Sequence, residues 1–336
     1  MRMDYRVEDG LMLESGVLLE DVNIAYCTYG TLNENRDNVI WVCHALTAGA
    51  ELHEWWGDLL GPGKLFDTNK YFVVCANNLG SPYGTTSPLS INPKTKQRYG
   101  LDFPAFTLRD TANLIECLIV KLRIRSIHLL IGGSCGGNIA LEMTCSLKNV
   151  VQHLALLCSS ANENPWTIAI HEAQRIALRA DDTFYKNENK TALSGLKIAR
   201  ALAMPYYRSA ESFNFKQRDE DYNKTIDFKA SSYVNYQGEK FAKRFDAHCY
   251  YLLLKALDTH HIGRNRGGLQ NGLAQISNKT VCVGIDTDLF IPIIEQNFLA
   301  EHLPNATYAE IKSIYGHDAF LIEYEQITQI VQSFLG

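Results

Sequence analysis

The hexapeptide Gly132-Gly133-Ser134-Cys135-Gly136-Gly137 limits what this chain can fold into more than any other segment. It follows the apolar run Ser126–Ile131, which reads as a strand, and precedes Asn138–Leu147, which reads as a helix. Between them, Gly-x-Ser-x-Gly describes a turn so tight that the residues two before and two after the serine must lack bulk. Such a turn holds a hydroxyl clear of the backbone, and the helix behind it aims its first amides at negative charge developing there. A glycine-rich turn with a bystander serine is the plainer alternative; the strand before and the helix after favour a nucleophile.

Strand and helix patterns alternate elsewhere too. Val22–Tyr29, Val39–Cys43, Tyr71–Ala76, His153–Cys158, Thr280–Gly284 and Tyr308–Lys312 read as strands. Thr107–Leu122, Ile293–His302 and Glu323–Phe334 have the spacing of amphipathic helices. This predicts an α/β fold, a mostly parallel sheet flanked by helices. From about Asn162 to Arg266 the pattern changes: Ile168–Arg179, Ala192–Met204 and Gly238–Leu257 read as helices with no strand between them. That stretch is expected to be an inserted helical lid, residues 162–266, on a core of residues 1–161 and 267–336. Sheets of this kind carry ligands beyond the carboxyl ends of their strands, where a lid would cover them.

A serine hydroxyl is a weak nucleophile until a base takes its proton, and an imidazole base needs an acid to hold its tautomer. The expected chain order is Ser, acid, His. Asp288 follows the strand Thr280–Gly284, and His317 follows Tyr308–Lys312, so both stand where catalytic loops belong. Asp286 competes for the acid role; Asp288 leaves room for the strand to turn and precedes the loop-fixing Pro292. An oxyanion hole takes one amide from the residue after the nucleophile, Cys135, and one from the loop after an earlier strand, for which Leu46 is the candidate. His44 in that loop is expected to brace it by hydrogen bonding.

Composition narrows the partners. The 336 residues are 46% hydrophobic, enough for a large core, and 32 basic against 37 acidic residues leave a net charge of −5. No basic excess is available for nucleic acid or an anionic membrane. No stretch approaches the roughly 18 apolar residues of a membrane span, and the first twenty residues contain no signal-peptide core. Nine cysteines, an odd number without a Cys-x-x-Cys pair, predict reduced thiols, a cytoplasmic location and no metal site. Gly61-Pro62-Gly63-Lys64-Leu65 lacks the spacing and the hydroxyl of a phosphate loop and reads as a turn. His260-His261 reads as a solvated helix end, and Trp55-Trp56 as core or lid packing.

Several motifs in order carry a resemblance. His44-Ala45-Leu46-Thr47, Gly61-Pro62-Gly63-Lys64, Ser90-Ile91-Asn92-Pro93, Asp102-Phe103-Pro104, Gly132-Gly133-Ser134, Arg244-Phe245-Asp246-Ala247 and Tyr315-Gly316-His317-Asp318-Ala319-Phe320 resemble the homoserine O-acetyltransferases of the α/β-hydrolase fold. The resemblance spans about Val22 to Glu323. It implies acetyl transfer from acetyl-CoA to the hydroxyl of L-homoserine, a step toward methionine, in a homodimer with a helical lid and no tightly bound cofactor. It also implies that Arg200 and Tyr207 receive the substrate carboxylate and Asp318 its amino group. A guanidinium fork and a carboxylate are the natural partners of an amino acid's two charges. The chain departs from the family pattern at Ala48, Cys135, Pro205, Leu289 and the segment Phe213–Asp221. Succinyl-CoA and serine users share this scaffold, and a serine ester hydrolase would use the same three catalytic side chains, so donor and acceptor stay open at this point.

Overall fold

The strands Val39–Cys43, Ile127–Gly133 and Val151–Leu157 are apolar on both faces, so they can only be central. In the computed structural model, which describes residues 2–336, the chain begins with β1 (Arg2–Val7), the short hairpin β2 (Leu11–Met12) and β3 (Leu18–Leu19), then β4 (Val22–Tyr29), β5 (Val39–Cys43) and β6 (Phe72–Ala76). There follow α1 (Leu108–Lys121), β7 (Ile127–Gly133), α2 (Cys135–Ser146) and β8 (Val151–Leu157). Five helices come next: α3 (Pro165–Arg179), α4 (Leu193–Tyr207), α5 (Ala210–Lys216), α6 (Lys229–Arg244) and α7 (Ala247–Asp258). The chain ends with α8 (Leu269–Ala274), β9 (Lys279–Ile285), α9 (Ile293–His302), β10 (Ala306–Ile311) and α10 (Tyr324–Leu335).

Eight strands form one sheet in the order β1-β4-β6-β5-β7-β8-β9-β10. β4 runs antiparallel to both β1 and β6, and every pair from β6 to β10 is parallel. In β5 the side chains of Val39, Trp41 and Cys43 enter the core on one face, and Ile40 and Val42 enter the core on the other. β8 divides likewise, with Leu154 and Leu156 on one side and Ala155 and Leu157 on the other. Burial on both faces is why these strands read as continuous apolar runs rather than alternating ones.

Helix α1 starts at a capping box, in which the Thr107 hydroxyl accepts from the Asp110 N–H and the Asp110 carboxylate accepts from the Thr107 N–H. Among the described residues no helix is long and apolar enough to cross a membrane.

Several expectations shift. β1 pairs at the sheet edge, although only its last residue is buried, so its sequence carries little apolar signal. The stretch expected as one helix over Gly238–Leu257 is two, because Phe245 is extended and the Asp246 carboxylate caps the second by accepting from the Cys249 N–H. α4 runs on to Tyr207 with Pro205 inside its last turns. His260 is buried rather than solvated: its Nε2 lies 3.0 Å from the Ser160 carbonyl oxygen, and burial lowers its pKa to about 4.

Candidate active site

β7 delivers the chain to Ser134 at φ 56° and ψ −128°, a backbone region that costs a non-glycine residue about 1–3 kcal/mol. The surroundings over-determine it. The Ser134 N–H donates to the Leu157 carbonyl at 2.8 Å, and the Ser134 carbonyl accepts from Gly137 at 2.9 Å and Asn138 at 3.2 Å. A Cβ on Gly132 would stand 2.3 Å from the Gly136 carbonyl oxygen, and one on Gly136 would stand 2.1 Å from that of Cys43. The glycines of the motif are therefore demanded by backbone packed against backbone, which a side-chain rotamer cannot relieve.

His317 and Asp288 come from the loops after β10 and β9. His317 Nδ1 lies 2.6 Å from Asp288 Oδ2, and both residues are buried. The other Asp288 oxygen accepts from the Phe290 and Ile291 N–H groups at 2.8 Å each, so backbone donors aim the carboxylate. Asp286 faces elsewhere, accepting from the Ser313 N–H at 3.0 Å. Burial works against the His317 imidazolium, but the negative charges of Asp288, Asp318 and Glu163 outweigh it and hold the pKa above the ordinary imidazole value. The Cys158 thiol lies beside this pair, with the ligating atoms of all three residues within 4.8 Å of one another. The hydrogen bonds already made by the Asp288 carboxylate describe a braced acid rather than an open metal shell.

Ser134 and His317 open onto one cavity of about 570 Å³. Leu46 and Cys135 also line it, and neither of their N–H groups donates within the protein among the described residues. Two free amides beside a serine can hold an oxygen that gains negative charge. His44 braces the Leu46 loop. Its Nε2 accepts from the Asn78 N–H at 3.0 Å, so the ring proton sits on Nδ1 and is donated to the Ala45 carbonyl at 2.8 Å. Burial lowers its pKa to about 4, which keeps it neutral.

Helix α4 supplies Arg200 and Tyr207, seven residues and nearly two full turns apart, hence on one face. The guanidinium lies 5.3 Å from the Tyr207 ring centroid and 5.4 Å from that of Phe241, and it pairs with no carboxylate among the described residues. Asp318 is paired: Arg208 Nε lies 2.9 Å from its carboxylate. Gly316, at φ 65°, lets this loop approach closely, since a Cβ there would meet the Arg208 and Ser209 backbone at 2.7 Å.

Among the lining residues that had no assigned role from sequence are Glu163, Arg208, Lys240 and Arg244. Arg244 donates to the Thr47 carbonyl at 2.7 Å and to the Tyr83 hydroxyl at 2.6 Å. Its place in an Arg-Phe-Asp-Ala motif was the only available signal. The tryptophan pair divides: Trp56 is fully buried with its Nε1 donating to the Phe320 carbonyl, whereas Trp55 lines the cavity.

Known proteins bear on this geometry. Residues 38–324 match a family model described as the α/β hydrolase fold. A homoserine O-acetyltransferase of Cyclobacterium marinum is 46% identical over 98% of this chain and 94% of its own length. A crystal structure of homoserine O-acetyltransferase from Bacillus anthracis, 26% identical, superposes with a TM-score of 0.92 over 100% of this chain and 97% of that one. Esterase E22, at 24% identity and a TM-score of 0.89 over the whole of both chains, shares the fold. With 42% identity to a further homoserine O-acetyltransferase, from Chloroherpeton thalassium, over 96% of this chain and 86% of that relative, the chain belongs to the homoserine O-acetyltransferase family of the α/β-hydrolase fold.

Proposed function

We propose that this chain transfers an acetyl group from acetyl-CoA to the side-chain hydroxyl of L-homoserine through an acetyl-Ser134 ester, as a step toward methionine. The observation that carries the reading is one cavity holding Ser134, the hydrogen-bonded His317–Asp288 pair and an Arg200 guanidinium with no carboxylate of its own. A hydrolase needs the first two; an amino-acid acceptor needs the third.

In the first half-reaction Ser134 Oγ attacks the thioester carbonyl carbon and passes its proton to His317 Nε2. The carbonyl oxygen takes the negative charge and is held by the Leu46 and Cys135 amides. The carbon–sulfur bond then breaks, and the CoA thiolate leaves with the proton from His317. In the second half-reaction the homoserine hydroxyl gives its proton to His317 and attacks the ester. Collapse returns that proton to Ser134 and frees O-acetylhomoserine. Asp288 keeps the proton on Nδ1 throughout, so that Nε2 can accept. The Ser134 hydroxyl is in no hydrogen bond among the described residues, and the mechanism requires it to meet His317 Nε2 in the substrate complex.

Arg200 receives the acceptor carboxylate, Tyr207 stacks against that guanidinium, and Asp318 faces the amino group. These α4 residues belong to the helical segment we read as a lid, residues 162–266, whereas the reacting groups stand in the turns and loops that leave the sheet. Such a lid favours transfer over hydrolysis by orienting the alcohol and excluding water. Acetyl-CoA acts as a substrate and no tightly bound cofactor takes part. Nine free cysteines suit a reducing cytoplasm, and exposed Ile198, Leu202 and Phe215 suit burial against a second copy in a homodimer.

The test is CoA release with acetyl-CoA and succinyl-CoA, each crossed against L-homoserine and L-serine. The expected result is fast release only with acetyl-CoA and L-homoserine together. Steady release that ignores both amino acids makes the protein a hydrolase, and preference for succinyl-CoA or serine replaces the donor or the acceptor.

A further inference from the structure

Glu163 lies in the segment Ser160-Ala161-Asn162-Glu163-Asn164 that leaves β8 for α3. Its backbone is fixed from the far end of α7: the Glu163 N–H donates to the His260 carbonyl at 2.9 Å, and the Ile262 N–H donates to the Ala161 carbonyl at 2.9 Å. The side chain is 3% exposed and lines the cavity that holds Ser134 and His317. Among the described residues no lysine or arginine comes within ion-pair distance of it. The nearest basic nitrogen, His171 Nδ1 at 4.0 Å, lies 2.7 Å from Asp258 and is already engaged there. Thr167 offers only a hydroxyl.

The other acids of this region are paired or reach solvent, the partly exposed Glu51 among the latter. Asp318 is paired with Arg208, Asp258 with Arg175 and His171, and Glu54 at the rim is exposed to solvent. Of these acids Glu163 alone is buried with no basic group but the His171 it shares with Asp258, and burial pushes its pKa up. The cavity also contains the converse, the Arg200 guanidinium without a carboxylate. Glu51, Glu54, Lys240 and Arg244 also line the chamber without ion pairs among the described residues, but Glu54, Lys240 and Arg244 are exposed to solvent and Glu51 is partly exposed. The buried Glu163 and the half-buried Arg200 together complement a zwitterion. The α-ammonium and α-carboxylate of an amino acid would satisfy both at once.

We propose that Glu163 is a specificity residue that accepts the α-ammonium of the amino-acid acceptor while Arg200 takes its carboxylate. The assignment rests on the acyl-transfer reading above and adds a second acid to Asp318, whose charge Arg208 already balances. An ammonium beside it favours the ionised carboxylate, and an acceptor without that charge leaves the acid buried and unpaired. Rejection of such acceptors follows from that cost.

The experiment compares kcat/KM for L-homoserine with kcat/KM for 4-hydroxybutanoate, which keeps the hydroxyl and carboxylate but lacks the ammonium. In the wild-type enzyme the ratio favours homoserine, and in Glu163→Gln it falls at least tenfold. Glu163→Asp, which keeps the charge, loses less of the ratio than the Gln variant. An unchanged ratio in Glu163→Gln, or a larger fall with Asp than with Gln, overturns the proposal. A wild-type enzyme whose CoA release ignores L-homoserine overturns the acyl-transfer reading as well, so the two failures are told apart.

Discussion

The Arg244 guanidinium, on α6, donates to the Thr47 carbonyl at 2.7 Å. Thr47 is the next residue after Leu46, which lines the cavity and whose N–H donates to no group among the described residues, so one side chain ties a helix that follows β8 to the loop expected to hold the oxyanion. The same guanidinium reaches the Tyr83 hydroxyl and lies 5.3 Å from the Phe241 ring centroid, which limits its freedom although the residue is partly exposed. Arg244→Ala should lower kcat roughly tenfold, the worth of about 1.4 kcal/mol, at the lower end for a hydrogen bond to a charged group. The KM for homoserine should change less than kcat, and Arg244→Lys should recover part of the loss. Steady-state kinetics of the three proteins check this.

Ser134→Ala removes the oxygen proposed to attack the thioester, the strained residue's only reactive atom. Turnover should fall by roughly 10⁴-fold or more, and mass spectrometry should find no acetylated protein after mixing with acetyl-CoA. A serine-reactive phosphonate should label the wild-type chain at Ser134 and leave the variant untouched.

Asp288→Asn keeps the shape of the acid but removes the charge that fixes the His317 tautomer, and roughly 10⁴-fold in kcat should be lost. The pH dependence follows with a definite sign. A base must be neutral to accept a proton, so activity falls as pH drops through the His317 pKa. Because nearby carboxylates raise that pKa against the opposing effect of burial, the acid limb of kcat/KM should lie above about 6.5, the ordinary imidazole value. In the Asn variant the residual activity should keep its acid limb at lower pH, since the strongest raising charge is gone. Rate profiles of both proteins in constant-ionic-strength buffers decide the point.

On the proposed mechanism, Arg200→Ala leaves the acceptor carboxylate without its fork. The KM for homoserine should rise roughly 30-fold, equivalent to about 2 kcal/mol, while the half-reaction with acetyl-CoA continues. Unchanged dependence on homoserine would remove Arg200 from the acceptor site.

Gly136→Ala forces a methyl group to within 2.1 Å of the Cys43 carbonyl oxygen, so strand β5 or helix α2 must move. A loss of about 3 kcal/mol is expected, read as a lower urea midpoint with an unchanged slope. Gly63→Ala is the comparison: its φ of 73° is strained for alanine, but nothing lies within 4 Å of the new methyl, and about 1 kcal/mol should suffice.

How much of this was legible beforehand depends on how far apart in the chain the interacting groups lie. The strand, the tight turn and the helix around Ser134 could be read directly, because their steric demands fall on residues 132–137 and each demand names glycine. The central strands were legible for a related reason, since burial on both faces leaves continuous apolar runs such as Val39–Cys43. Ser134, Asp288 and His317 could be nominated from their order and from the strand each one follows. Tertiary packing alone brings His317 Nδ1 to 2.6 Å from Asp288 across 29 residues, and Arg244 to Thr47 across 197. The charge balance of the cavity is also a property of packing. Whether an Asp or Glu has a counter-ion is decided by side chains from other elements, as Arg208 does for Asp318 and as no arginine or lysine does for Glu163. Local sterics are written in neighbouring residues, whereas desolvation and charge pairing are sums over everything that the folded chain places within a few ångströms.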